Sequence, residues 1–167
     1  GIGYIVAKPY DEIYQERKTI FMDIVKTFTQ KIGARGTLLI GPKASGKTHL
    51  LGIEMDYAKT RYGAKIILIN DREYDFIKMA DKRIPVKSAL REGIIKSICR
   101  ELGSTGNDVD ALIDALESMG WEAVQIIIDD LYEGDWGKKE IIEDIFTLFK
   151  LHTRGKKPVV RTSVALH

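Results

Sequence analysis

The stretch Gly41-Pro42-Lys43-Ala44-Ser45-Gly46-Lys47-Thr48 constrains this chain more than any other. It fits G-x-x-x-x-G-K-[ST], a loop whose backbone N–H groups converge on phosphate. So short a pattern also arises by chance, and its flanks decide. Ahead of it, Gly36 to Ile40 reads as a short buried strand. Behind it, Lys47 to about Tyr62 has helical spacing, with Leu50, Leu51, Ile53 and Met55 apolar and Glu54, Asp56, Lys59 and Arg61 polar. Strand, loop, helix is the order in which unpaired N–H groups and the helix dipole point at one anion. Gly41 and Gly46 allow a backbone path that side chains would block. In such a loop Lys47 reaches the β and γ phosphates of a nucleoside triphosphate, and the Thr48 hydroxyl binds Mg²⁺. His49, one step further, packs or caps in the simplest reading and borders the same site.

The rest of the chain repeats the alternation. Glu12 to about Lys31 reads as an amphipathic helix, and Ala64 to Ile69, closed by Asn70, as a second strand buried on both faces. Between Asp71 and Trp121 the spacing predicts a helix over Val86 to Leu102, with Leu90, Ile94, Ile95, Ile98 and Leu102 on one side. A further helix runs to about Met119, capped by Asn107 or Asp108. Ala123 to Ile128 is a third strand, Lys138 to His152 a helix, and Pro158 to Ser163 a fourth strand. Strands alternating with helices imply an α/β fold: a three-layer parallel sheet with helices on both faces. At 167 residues the chain reads as one domain, residues 1–167.

A phosphate loop needs an acidic partner for its cation, and Ile126-Ile127-Ile128-Asp129-Asp130 has the right form. An acid at the C-terminal tip of a parallel strand stands in the crevice where α/β ligands bind. Asp129 then supports the magnesium shell, and Asp130 orients or deprotonates the attacking water. Phosphoryl transfer asks chiefly for positioning and charge neutralisation, which these groups supply.

Composition adds bounds. Lys and Arg number 26 against 24 Asp and Glu, so charge neither announces nor excludes nucleic acid. No apolar run approaches the ~20 residues of a membrane span, and no signal-peptide pattern opens the chain, which predicts a cytoplasmic protein. Cys99, the single cysteine, rules out an internal disulfide and sits at an apolar helical position, as a small core residue does.

GPKASGKTHLL, an apolar strand ending in IIIDD, and KPVVRTS together resemble the AAA+ ATPases. Within them the likeness is greatest to DNA-replication initiators and helicase loaders, of the bacterial DnaA and DnaC types and the archaeal and eukaryotic Orc/Cdc6 type. Lys47-Thr48-His49-Leu50-Leu51 and the Asp129-Asp130 pair carry the first likeness. The helix around YQERKTIFMDIVKTF and the long helical span between the second and third strands carry the second. The resemblance implies ATP or ADP with Mg²⁺ as ligands and ATP hydrolysis in a homo-oligomer. DNA or a replicative helicase is the implied partner. It places a hydroxyl sensor for the attacking water or γ-phosphate at Thr162-Ser163, and Pro9 and Tyr10 at the adenine pocket. It also implies a further strand, an arginine finger and a helical lid after the sensor strand, beyond His167, so that this chain alone hydrolyses ATP slowly. A regulatory ATPase gated by nucleotide binding, without DNA, is the alternative reading, and a small-molecule kinase shares the loop.

Overall fold

The computed structural model describes residues 2–6, 36–42, 46–70, 86–131 and 147–166, with the backbone alone for 2–6, 70, 86–92 and 130. The helix expected over 12–31, and most of the one expected over 138–152, lie outside them.

Five strands form one sheet among the described residues: β1 (Ile2–Val6), β2 (Gly36–Ile40), β3 (Lys65–Asn70), β4 (Ala123–Leu131) and β5 (Val159–Leu166). The order is β1-β2-β5-β4-β3, and every neighbouring pair runs parallel. All the strand tips that end at a C-terminus therefore face one way, and the loop after β2 opens at that end. The sequence reading has four strands. The added one, β1, is the β-prone run Ile2-Gly3-Tyr4-Ile5-Val6, which lies beside β2 from Ile2 opposite Gly36 to Val6 opposite Ile40.

Helices cover both faces. Helix α1 (Lys47–Tyr62) lies on one, where Leu50 and Leu51 pack with Leu39, Ile127 and Ala165. Helices α2 (Val86–Glu101) and α3 (Val109–Ser118) cover the other. There Ile94, Ile98, Cys99, Leu112 and Leu116 join Leu38, Ile126, Ile128 and Val164 in the larger core. Alternation along each strand divides the two cores: Ile126 and Ile128 face α2 and α3, and Ile127 between them faces α1. Burying each such side chain stabilises the fold by roughly 1.5–3 kcal/mol.

Of the two capping candidates, Asp108 caps α3, its Oδ1 accepting from the Ala111 N–H at 2.8 Å. The run Ala64 to Ile69 departs from expectation. Ile67 and Ile69 are buried, whereas Leu68 is 44% exposed. As the sheet's edge strand, β3 is covered on the α2–α3 face and only partly on the other.

Gly36, at the start of β2, lies against the ring of Phe149, in the space a Cβ would take. A helical turn at 147–149 brings that ring in, and Gly36 is what allows the approach.

Candidate nucleotide site

The loop after β2 is anchored at its first residue. The Gly41 N–H donates to the Leu166 carbonyl at 3.2 Å, tying the loop's start to the tip of β5. At the other end Gly46 has φ 95°, a left-handed conformation that an L side chain rarely adopts, and α1 begins at the next residue. Gly46, at the N-cap, makes no side-chain cap, and no acid lies in the first turn. The positive end of the helix dipole favours an incoming anion. Lys43, Ala44 and Ser45 lie outside the described residues.

Lys47 is the first residue of α1 and is 6% exposed. Its Nζ donates to the carbonyls of Gly41 and Pro42, both at 2.6 Å. The ammonium is thereby held over the loop's own backbone, where a phosphate in the loop would meet it. Carbonyl oxygens are weaker partners for an ammonium than phosphate oxygens, since a charged acceptor roughly doubles the strength of such a bond.

The adjacent Thr48 turns to the sheet. Its Oγ1 lies 3.1 Å from Asp129 Oδ2 and 3.3 Å from Oδ1, a hydrogen bond across 81 residues of chain. Asp129 is positioned by β4, opposite Asn70 of β3, and the β4–β5 register shifts between Ile128 and Leu131, just where the acids stand. Two hard oxygen donors side by side suit Mg²⁺, which usually takes one or two protein ligands and completes its shell with water and substrate phosphates. No cluster of three or more His, Cys, Asp or Glu forms a cage among the described residues. The donor set therefore fits a cation delivered with phosphate. His49 is exposed beside this pair. The Asp130 backbone continues β4; its side chain, like Pro9 and Tyr10, lies outside the described residues.

Thr162 and Ser163 do not stand at this end. Strand β5 runs on through Val164, Ala165 and Leu166, all buried, so the polar pair sits in mid-strand. Thr162 is level with Gly36, at the start of β2, and only Leu166 is level with Ile40. Four residues of strand put Thr162 roughly 13 Å below the tip. Thr162 and Ser163 are 2% and 1% exposed, which makes them interior groups and not a sensor facing the phosphates. The position that adjoins the loop is Ala165–Leu166.

Sequence reasoning also missed Glu54. By residue type it belongs to the polar face of α1, yet it is fully buried among Lys47, Leu50, Leu51 and Ala58. The spacing held the signal: 47, 50/51, 54 and 58 recur every three or four residues and form one stripe. Glu54 Oε1 accepts from Ser163 Oγ at 2.6 Å and from Gln125 Nε2 at 3.0 Å. Burial pushes its pKa up to about 7, while the bonds from Ser163 and Gln125 and the charge of Arg161 pull the other way. Arg161, a puzzling charge in an apolar strand, is 2% exposed and lies within electrostatic reach of Glu54. Its charge favours the ionised form of Glu54, the least of the influences on that carboxyl.

Arg154 precedes β5, at the end of the sheet away from the loop. Its guanidinium is held by Asp114 at 2.6 Å, Glu117 at 3.2 Å and Asp110 at 3.7 Å, all on α3.

With this geometry the chain can be set against known proteins. Among solved structures it matches a chain in a structure of Drosophila ORC bound to DNA, at 10% identity and a TM-score of 0.50. The two share a fold. At that identity the likeness concerns the fold alone, and although it covers 94% of this chain, it takes in 26% of the ORC chain. No family model matches the sequence, and no curated protein sequence matches it. No helix among the described residues is long and apolar enough to cross a membrane.

Proposed function

We propose that this chain binds ATP with Mg²⁺ at Gly41–Thr48 and Asp129, and hydrolyses it as an AAA+ module of the replication-initiator or helicase-loader type. The observation that carries the reading is the Thr48–Asp129 contact at 3.1 Å, which brings the end of the loop to an acid from a strand 81 residues away. A chance glycine-rich turn has no reason to meet a strand-tip acid. The parallel α/β sheet and the fold shared with an ORC chain support the class.

Each residue has a role in this reading. Lys47 exchanges the Gly41 and Pro42 carbonyls for β and γ phosphate oxygens. The backbone at Gly46 and the start of α1 supply N–H groups to the same phosphates. Thr48 and Asp129 hold Mg²⁺, which neutralises charge on the phosphate oxygens. Asp130 orients the attacking water or accepts its proton. Hydrolysis in a homo-oligomer would then alter the grip on DNA or on a helicase.

The test is a calorimetric titration with ATP in the presence and absence of Mg²⁺. Lys47→Ala should cost at least ten-fold in ATP affinity while the melting temperature stays near that of the parent. Unchanged affinity would remove the reading. An electrophoretic shift with duplex DNA at two salt concentrations separates the initiator class from a nucleotide-gated switch, because phosphate contacts weaken as salt rises.

A further inference from the structure

Beneath the Thr48–Asp129 contact lies a second polar layer that nucleotide binding does not use. It consists of Glu54 from α1, Gln125 from β4 and Ser163 from β5, at 0%, 0% and 1% exposure. The three close a triangle: Ser163 Oγ donates to Glu54 Oε1 at 2.6 Å, and Gln125 Nε2 lies 3.0 Å from both Glu54 Oε1 and Ser163 Oγ. Each corner belongs to a different element.

The layer's position gives it leverage. Glu54 follows Lys47 by two helical turns, roughly 10 Å along α1. Gln125 precedes Asp129 by four residues on β4. Thr48 and Asp129 therefore stand at the ends of two rigid elements that are fastened together at Glu54 and Gln125. We propose that Glu54 is a positioning residue: by clamping α1 to β4 and β5 it sets the separation of Thr48 and Asp129 on which cation-dependent nucleotide binding depends. The proposal rests on the nucleotide reading above.

A polar clamp does here what the apolar contacts cannot. Among the described residues the buried core on this face is Leu39, Leu50, Leu51, Ile127 and Ala165, and aliphatic contacts tolerate sliding by a fraction of an ångström. Hydrogen bonds fail steeply with distance and angle, so three short bonds in a buried triangle fix the register of helix on strand. A buried carboxyl is costly to keep, and leucine at this position would complete the apolar stripe at less cost. Glu54 therefore does something there that leucine would not.

The experiment measures ATP affinity by calorimetry in Mg²⁺ and in EDTA for the parent chain, Glu54→Gln and Glu54→Ala. The parent should gain affinity with Mg²⁺. Glu54→Ala should lose at least five-fold of that gain, with less than a two-fold change in EDTA. Glu54→Gln should restore most of it, because the amide oxygen still accepts from Ser163. Should Glu54→Ala fail to fold, Ser163→Ala deletes the 2.6 Å bond alone and should lose two- to three-fold of the gain. Folded variants that keep the full Mg²⁺ gain overturn the clamp and leave the nucleotide reading standing. A parent chain that binds ATP equally in both buffers also overturns the clamp. A parent chain that binds no ATP in either buffer overturns the nucleotide reading, and the clamp falls with it.

Discussion

Glu54 shows how one residue can set the pH response of the whole fold. In the unfolded chain its carboxyl titrates near 4.5, whereas in the folded protein burial raises the value to about 7. The folded state therefore holds more protons between those values, and the stability that this group contributes falls as pH rises. Its contribution is fully present below pH 4.5 and is lost by the time the pH has passed 7. A shift of this size corresponds to about 3 kcal/mol. Glu54 Oε2 and Gln125 Oε1 make no hydrogen bond among the described residues, so a proton on Oε2 breaks no hydrogen bond that the ionised carboxylate makes there. The charged and polar groups around it are Arg161 and Ser163 from β5 and Gln125 from β4, and Arg161 moderates the effect without reversing it. We predict that denaturant unfolding at pH 5.5 and 8.5 separates the parent from Glu54→Gln. The parent should lose stability relative to the variant as pH rises, by 1 to about 3 kcal/mol. Parallel losses in both proteins would show that Glu54 is ionised throughout.

At the scale of elements, one close contact fixes how β2 meets the segment before β5. A Cβ at Gly36 would fall within the Phe149 ring, which is 1% exposed and embedded in the larger core. Gly36→Ala should therefore destabilise the fold by about 1–3 kcal/mol, the usual cost of overpacking. In the double variant with Phe149→Leu, part of that loss should be recovered, and simple additivity in denaturant melts would refute the contact. The same elements show where the sequence could be read. Loop, helix α1, the core face of α2 and the acid-tipped strand were legible because periodicity and motif spacing are local. The full length of strand β5 was not, because Thr162 and Ser163 resemble a strand end, and only Glu54 and Gln125 from distant segments make Ser163 welcome in mid-strand. The same long-range pairing hid Glu54. The edge position of β3 was equally invisible, since a run such as Lys65–Asn70 looks alike at the centre or the border of a sheet. Which it is depends on strand order.

For the molecule as a whole, the parallel sheet sorts chemistry by end. The loop, Thr48 and Asp129 share the C-terminal tips, whereas Arg154 lies before β5 and is engaged by three acids of α3. Arg161 belongs to β5 five residues before Leu166, roughly 16 Å of strand. Arg61 stands in the last turn of α1, about 20 Å of helix away from Thr48. None of these three can reach the bridge between the β and γ phosphates, where charge builds during transfer. An arginine there is worth about 10³–10⁵ in rate. On the proposed reading, in which that arginine comes from a neighbouring subunit, the dilute chain should bind ATP but turn it over far below the ~10 per second of a typical enzyme. Arg154→Ala should leave both affinity and turnover within two-fold of the parent. Its measurable effect should be a modest fall in melting temperature that shrinks as salt rises, since its ion pairs are exposed. Asp129→Asn, at the opposite end, should weaken Mg²⁺-dependent ATP binding by ten-fold or more. Phosphate-release assays on the three proteins at one concentration decide the matter. Brisk turnover that collapses in Arg154→Ala would place this arginine at the phosphates and overturn the division of the sheet into a chemical end and a structural one.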